Sequence, residues 1–298
     1  MKVLAAVVTY HPEIPLLKQN LDALSSQVDQ ILVFDNASAN IGEIRNLAAS
    51  FDRVRLIEND QNLGLPANYN RAARMARDMD CPWLLLMDQD TVVPFDLIRK
   101  YMEYTSDPQA AVISPVVWDV NSLDPEEALR NLPEGPVSCV DHCISSASLN
   151  RVDILLAIGG FEERLFIDYV DIEYCMRARL NGYKILCVHD CLVKHRLGDG
   201  PERRVRFLWK KWRIRPYSLT RTYHFYRNSI YVARKYGDRL DIWPGDFRVF
   251  LSLLKKMIRM TSLDHPVRRC AMLVKGHLDG YRMARDPQAE PCMKKEGL

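Results

Sequence analysis

The sequence predicts an α/β protein built on a mostly parallel sheet, and three observations carry that reading. Short apolar runs alternate with segments whose apolar residues fall at helical spacing. The runs are continuous rather than alternating, which suits strands buried on both faces. Each of the first four runs ends in polar or acidic residues, at the edge where open α/β sheets bind ligands. Strands separated by helices at this spacing imply βαβ crossovers and so a parallel core.

The elements follow in order. Val3–Thr9 reads as the first strand. Pro12 and Pro15 are start signals for a helix with Leu16, Leu17, Asn20, Leu21 and Leu24 on one face. Gln30–Asp35 is the second strand, and Ile41–Phe51 a helix with Asn40 placed to cap it. Val54–Glu58 is the third strand. Pro66–Met79 is a helix with its proline in the first turn, and Trp83–Met87 is the fourth strand. Pro94–Tyr104 reads as a helix, Ala110–Val117 as a strand and Asp119–Pro136 as a loop rich in turn formers. Cys139–Ala147 reads as a strand, and Arg151–Ala157 as a short helix closed by Gly159-Gly160. Asp168–Leu180 is a helix with Gly182 just past its end, followed by short strands at Lys184–His189 and Cys191–His195.

The chain has 298 residues, 48% hydrophobic and 27% charged, which is ample for a packed core. That composition excludes a disordered, collagen-like or disulfide-scaffold chain. No apolar run approaches the ~18–20 residues of a membrane span. The N-terminal apolar stretch is short and lacks a small-residue cleavage site, so the expectation is a cytoplasmic protein with its eight cysteines as thiols. Charge is unevenly spread. Residues 1–193 carry 16 Lys and Arg against 28 Asp and Glu, whereas residues 194–298 carry 25 against 10. This divides the chain into a catalytic region, residues 1–200, and a basic, amphipathic, largely helical C-terminal appendage, residues 201–298. In the appendage Arg203–Tyr217 interleaves basic residues with Phe207, Trp209, Trp212 and Tyr217. Asp246–Met260 places Phe247, Phe250, Leu251, Leu254, Met257 and Ile258 at helical spacing. Such a region suits a solvated helical face or a nucleic-acid surface, and suits better the anionic cytoplasmic face of the inner membrane. From about Asp286 the chain reads as a loose tail.

The chemistry lies past the strand ends. Thr9 and Tyr10 follow the first strand, Asp35, Asn36 and Ser38 the second, Asn59, Asn62 and Gly64 the third, and Asp88 and Asp90 the fourth. Two carboxylates two residues apart can both reach one hard divalent cation, Mg²⁺ or Mn²⁺, which also accepts diphosphate oxygens. Neither a Gly-x-x-x-x-Gly-Lys loop nor a Gly-x-Gly-x-x-Gly turn is present, which argues against a P-loop nucleotidase and a dinucleotide dehydrogenase. A second acidic cluster, Asp168, Asp171 and Glu173, opens the helix before Arg177. Such charge suits a helix N-terminus, or supplies a general base. Asp171 and Glu173 are two apart and point different ways on a helix, while Glu173 and Arg177 can pair. Cys139, His142, Cys143, Cys187, His189, Cys191 and His195 can be imagined as a zinc set. The alternation of 187, 189 and 191 suits small buried residues better.

The order of these motifs resembles the inverting family 2 glycosyltransferases, which have a GT-A fold: a Rossmann-like, mostly parallel sheet flanked by helices. The motifs are Val-Val-Thr-Tyr, Asp35-Asn-Ala-Ser, Asn62-Leu-Gly with Asn70, Leu-Leu-Met-Asp-Gln-Asp, Gly159-Gly-Phe, Asp168–Arg179 and Gly182-Tyr. The resemblance covers residues 1–200. The strings around Asp88 and Asp171 look more specifically like the bacterial rhamnosyltransferases of that family. It implies that Thr9, Tyr10 and Asp35 hold the nucleobase and ribose, and that Asn62, Gly64 and Asn70 shape the nucleotide pocket. Asp88 and Asp90 would bind the metal on the sugar-nucleotide diphosphate, with His195 as a further ligand. Asp171 would be the base that deprotonates the acceptor hydroxyl. Many relatives have an acidic residue where this chain has Val170, and this leaves Asp168 as a rival to Asp171. The donor expected is dTDP-β-L-rhamnose. The acceptor expected is a saccharide or lipid-linked glycan of lipopolysaccharide core or O-antigen type.

Overall fold

A computed structural model describes residues 1–124, 126–207, 210–240, 246–260 and 263–286. Strands β1 (Val3–Thr9), β2 (Gln30–Asp35), β3 (Val54–Glu58) and β4 (Trp83–Asp88) are joined by helices α1 (Ile14–Ser25), α2 (Ile41–Ala49) and α3 (Gly64–Asp78). The chain continues through α4 (Leu97–Met102), β5 (Ala110–Asp119), the single turn α5 (Glu127–Arg130), β6 (Val137–Cys139), β7 (Ser148–Arg151), α6 (Val152–Ala157), α7 (Val170–Leu180) and β8 (Lys184–His195). The eight strands form one sheet in the order β3-β2-β1-β4-β7-β5-β8-β6. Pairs β1–β2, β2–β3, β1–β4 and β5–β8 are parallel, and β6 and β7 run against their neighbours. The strand order reverses at β1, with β2 on one side and β4 on the other. A crevice therefore opens at the carboxyl ends of β1 and β4, as the topology of open sheets requires.

The continuous apolar runs become strands with both faces buried. Leu4, Ala6 and Val8 face a core shared with α3, α6 and α7, while Val3, Ala5 and Val7 face a core shared with α1 and α4. Burying both faces explains why no polar residue interrupts β1 or β4 before its last position.

Three elements differ from the sequence reading. Only 137–139 and 148–151 of the region from Cys139 to Ala147 and its flanks are strands, and residues 140–147 cross the carboxyl edge of the sheet as irregular chain. The helix expected from Asp168 starts at Val170, because Asp168 and Tyr169 both have positive φ, 60° and 65°. The two short strands before His195 are one strand. Its register against β5 jumps from Pro115↔Val188 to Val116↔Leu192, so residues 189–191 bulge where a break was expected.

The C-terminal region opens with a hairpin, not a helix: β9 (Arg203–Phe207) pairs antiparallel with β10 (Lys210–Ile214). Helices α8 (Leu219–Leu240), α9 (Asp246–Met260) and α10 (Pro266–Ala284) follow. Trp209 and the tail beyond Asp286 lie outside the described residues. Tyr231, Val232 and Tyr236 of α8 belong to the same core as α3, α6 and α7, so a division at residue 200 cuts through that core. Helix α10 lies against α8 at two glycines. A Cβ on Gly276 would sit 2.7 Å from the Tyr223 carbonyl oxygen, and one on Gly280 would sit 2.4 Å from that of Arg227. Because backbone rather than a flexible side chain blocks the space, Gly280→Ala is expected to destabilise the protein by about 1–3 kcal/mol. Urea denaturation measures this, and an unchanged midpoint would show that the two helices can separate freely.

Candidate active site

The carboxyl ends of β1 and β4 set the two sides of the crevice. On the β1 side, Thr9 donates its hydroxyl to Asp35 Oδ1 at 3.0 Å, and Asp35 also accepts the Ser38 hydroxyl and backbone N–H. Thr9 and Asp35 are both buried, so the structure brings them together beneath the surface and does not present a free Asp35 carboxylate. Tyr10 is the exposed member, with its backbone N–H donating to Gln89 Oε1 at 2.7 Å. That bond ties the β1 end to the Asp88-Gln89-Asp90 turn. Asn36, which follows Asp35, accepts from Asn59, Asn68 and the Leu63 N–H through one oxygen and thereby locks the turn that leads into α3.

Asn62, Gly64 and Asn70 act one layer further out. Asn62 Oδ1 accepts the Gly64 N–H at 2.9 Å and closes the turn at the start of α3. Gly64 has φ +77°, and a Cβ there would lie 2.5 Å from the Phe166 carbonyl oxygen. Only glycine lets the turn approach Phe166 this closely. The Asn70 amide is spent on the Phe161 backbone N–H and C=O and on Glu163, so its side chain reaches the loop after Gly159-Gly160 and not the β1–β2 edge. A Cβ on Gly160 would meet Asn70 Oδ1 at 2.5 Å, which accounts for that glycine.

Asp88, Asp90 and His195 converge. Their ligand atoms all lie within 4.8 Å of one another, and among the described residues no other set of three His, Cys, Asp or Glu side chains does so. The cysteine and histidine set considered for zinc is not assembled there; Cys143 faces Cys175 at 4.0 Å instead. His195 arrives because β8 is long enough to pair with the end of β5 and because Lys194 bridges to Val92, just past Asp90. Its Nε2 is 3.5 Å from Asp88 Oδ2. Its Nδ1 bonds the Thr91 hydroxyl at 2.8 Å, and Thr91 in turn accepts from Ser146. A fixed Nδ1 partner holds the ring with Nε2 turned toward the carboxylate, the usual arrangement of a metal-ligating imidazole. Ligand atoms on one small cation at about 2.1 Å are separated by roughly 3–4 Å, so a spread within 4.8 Å makes these three residues a candidate cation site that needs only a small closing movement. Two carboxylates with one imidazole suit Mn²⁺, and the carboxylates suit Mg²⁺.

Asp171 lies opposite, in the first turn of α7. It accepts backbone N–H groups from Ser145 at 3.2 Å and Ile172 at 2.8 Å. Burial pushes its carboxyl up to about 6 against the pull of those two N–H groups, and Asp168 and Asp88 push it further. A carboxylate poised there can take a proton near neutral pH. The rival, Asp168, is held by both oxygens on the Arg221 guanidinium at 3.0–3.1 Å. Glu173, as its spacing from Asp171 requires, faces the other way. It is fully buried among Arg177, Lys235 and Tyr236, and Arg177 and Lys235 outweigh its burial and hold it ionised. The chain before Asp171 is strained: Phe166, Asp168 and Tyr169 all have positive φ, at a cost of about 1–3 kcal/mol each.

Several residues here had no assigned role in the sequence. Ser145 and Ser146 lie at the end of the stretch read as a strand, with their role open, and Thr91 is adjacent to the acidic pair. Arg221 gave no local signal, because it lies 53 residues from Asp168.

A mostly parallel sheet flanked by helices, with an acidic cluster where the strand order reverses, is the layout of a GT-A glycosyltransferase. Residues 5–155 match the profile of Glycosyl transferase family 2, just over half of the chain, and the protein belongs to that family. A curated relative, the dTDP-rhamnosyl transferase RfbF of Shigella flexneri, is 24% identical over 291 residues, covering 94% of this chain and 95% of its own. The low-salt glycan biosynthesis hexosyltransferase Agl10 of Haloferax volcanii is 25% identical over 205 residues, 63% of this chain and 65% of its own. Among solved structures, GalNAc-T7 with UDP, GalNAc and Mn²⁺ superposes with TM-score 0.58 at 13% identity, over 80% of this chain and 48% of that one. The match thus spans about half of GalNAc-T7. S. aureus TarS 1–349 in complex with UDP gives TM-score 0.51 at 14% identity, over 96% and 74%. At such identities the two structures attest the fold.

Proposed function

We propose that this glycosyltransferase moves L-rhamnose from dTDP-β-L-rhamnose to a hydroxyl of a cell-surface glycan, with inversion at the anomeric carbon. The observation that carries the proposal is the nearness of Asp171 to the Asp88–Asp90–His195 group: the Asp88 charge acts on Asp171, and the adjacent Ser145 and Ser146 bond Asp171 and the Asp88 N–H. The rhamnosyl donor is supported by similarity to the Shigella enzyme along nearly the whole of both chains. A UDP-hexose donor is the second reading, supported by the UDP bound in the GalNAc-T7 and TarS structures.

In this reading Tyr10 packs on the nucleobase, while the Thr9–Asp35 pair sets the turn beneath it and the Asn62-Leu63-Gly64 turn lines the far wall. Asp88, Asp90 and His195 would hold Mg²⁺ or Mn²⁺, which when bound neutralises the diphosphate as it leaves. Asp171 draws the proton from the acceptor oxygen as that oxygen attacks the anomeric carbon. The bond from the anomeric carbon to the diphosphate breaks on the opposite face, and the proton ends on Asp171. A single base and a direct displacement give inversion. A lipid-linked saccharide is the acceptor this reading favours.

The expected place of action is the cytoplasmic face of the inner membrane, with the protein held peripherally. No described helix is long and apolar enough to cross a membrane. Helices α9 and α10 instead expose Leu254, Ile258, Val267 and Leu278 beside Lys255, Arg268 and Lys275, a pattern suited to an anionic lipid surface.

Four outcomes are expected. Purified protein with Mn²⁺ should hydrolyse dTDP-rhamnose in preference to UDP-glucose, UDP-galactose and GDP-mannose. Asp171→Asn should lower that turnover by about 10²-fold or more. Because the base works ionised, kcat should fall as pH drops through about 6, the value to which burial raises Asp171. Full turnover by Asp171→Asn would remove it from the mechanism, and preference for a UDP-sugar would favour the second reading. Sedimentation with vesicles containing anionic lipid should fall severalfold when Lys255 and Arg268 are both changed to Glu. Equal binding of parent and variant would exclude this face as the membrane contact.

A further inference from the structure

The segment leading into Asp171 is held along most of its length by one stripe of α8. Arg221, His224, Phe225 and Asn228 fall at helical spacing of three, one and three residues and so share a face. Each meets a different part of residues 165–169. Arg221 grips the Asp168 carboxylate through two nitrogens, and also pairs with Asp199 at 2.8 Å. His224 stacks on Phe166 at 5.1 Å between ring centres, and Phe225 meets Tyr169 edge-on at 5.2 Å. The fully buried Asn228 amide nitrogen lies 2.9, 2.7 and 2.8 Å from the carbonyl oxygens of Leu165, Ile167 and Asp168. The neighbouring Arg227 adds bonds to the carbonyls of Arg164 and Leu165.

The same segment holds three of the positive-φ residues, Phe166, Asp168 and Tyr169. A chain in that conformation points its carbonyls in directions that neither helix nor sheet can satisfy. Left alone it would relax, and α7 would lose the turn that aims Asp171. Outside α8 the segment is held by the Leu65 N–H at the start of α3, which donates to the Phe166 carbonyl, by bonds within 162–173 and by Leu165 in the core. Helix α8 is in turn held from behind by Gly276 and Gly280 of α10.

We propose that this face of α8 is the positioning device for the base, with Asn228 and Arg221 as positioning residues that hold the strained 165–169 segment and so fix Asp171 in the crevice. The inference rests on the reading of Asp171 as base. It gives the C-terminal region a part in the reaction apart from any membrane contact.

The test compares the full-length parent with Asn228→Ala, Arg221→Lys and Asp171→Asn, using Mn²⁺ and whichever sugar nucleotide of the panel the parent hydrolyses. Amide hydrogen exchange is followed by mass spectrometry on the same samples. For Asn228→Ala and Arg221→Lys, kcat should fall about tenfold or more with donor KM within about twofold. The acid limb of kcat should move to lower pH as water reaches Asp171. Exchange over 164–172 should rise about tenfold, with β1 and β4 unchanged. A purely structural role would lower the folded fraction without moving the limb. If Asn228→Ala does not fold, Arg221→Lys, which keeps the charge and loses the two-pronged grip, carries the comparison. An unmoved limb and unchanged exchange over 164–172 overturn the proposal even when Asp171→Asn is inactive. Full activity of Asp171→Asn overturns the base reading instead.

Discussion

The constraint on which the structure depends is the gathering of like charge at one end of the sheet. Asp88, Asp90, Asp168 and Asp171 meet where the strand order reverses, in a crevice whose walls are apolar strands. Carboxylates so placed repel one another and lose hydration, and each must be answered by a partner or shift its proton. The chain answers them differently. Asp168 receives Arg221. Asp88 faces His195, and with Asp90 forms a group suited to a divalent cation. Asp171 receives only two backbone N–H groups, and burial pushes its proton affinity into the range a base needs. Four similar residues thus find three distinct surroundings.

The scaffold exists to make that gathering affordable. Two buried faces of the sheet hold β1 and β4 rigid up to Thr9 and Asp88. The 140–147 crossing supplies Ser145 to Asp171 and Ser146 to the Asp88 backbone N–H, so both sides of the crevice share one support. Behind the base, the Glu173–Arg177–Lys235 network anchors α7 to α8. Truncating one member of such a buried network would leave an uncompensated charge, which is why it behaves as one unit.

How much of this was legible in the sequence follows from the range of the interactions. The strands and their polar ends were legible because each is a local pattern, and so was the different facing of Asp171 and Glu173, which follows from helix geometry. The Asp88–Asp90 pair was visible because both residues lie on one turn. The start of α7 was misplaced because Asp168 and Tyr169 have positive φ, and the α8 residues that bond this segment lie far away in the chain. The 140–147 region looked like one strand because it holds neither glycine nor proline to break the run. The β9–β10 hairpin was hidden by a basic-aromatic composition that helices and strands share. Asn70 and Asp35 could be placed near the site from their motifs. That each is occupied with internal hydrogen bonds required the tertiary contacts.

The most direct test of the central claim, that the acidic group serves a cation shared with a nucleoside diphosphate, is calorimetric titration of dTDP into the protein with and without Mn²⁺. Linkage requires that a cation bridging protein and diphosphate tighten the binding of each. The account predicts that Mn²⁺ strengthens dTDP binding about tenfold or more in the parent and has little effect in Asp90→Asn. Equal affinity with and without Mn²⁺ in the parent would contradict it.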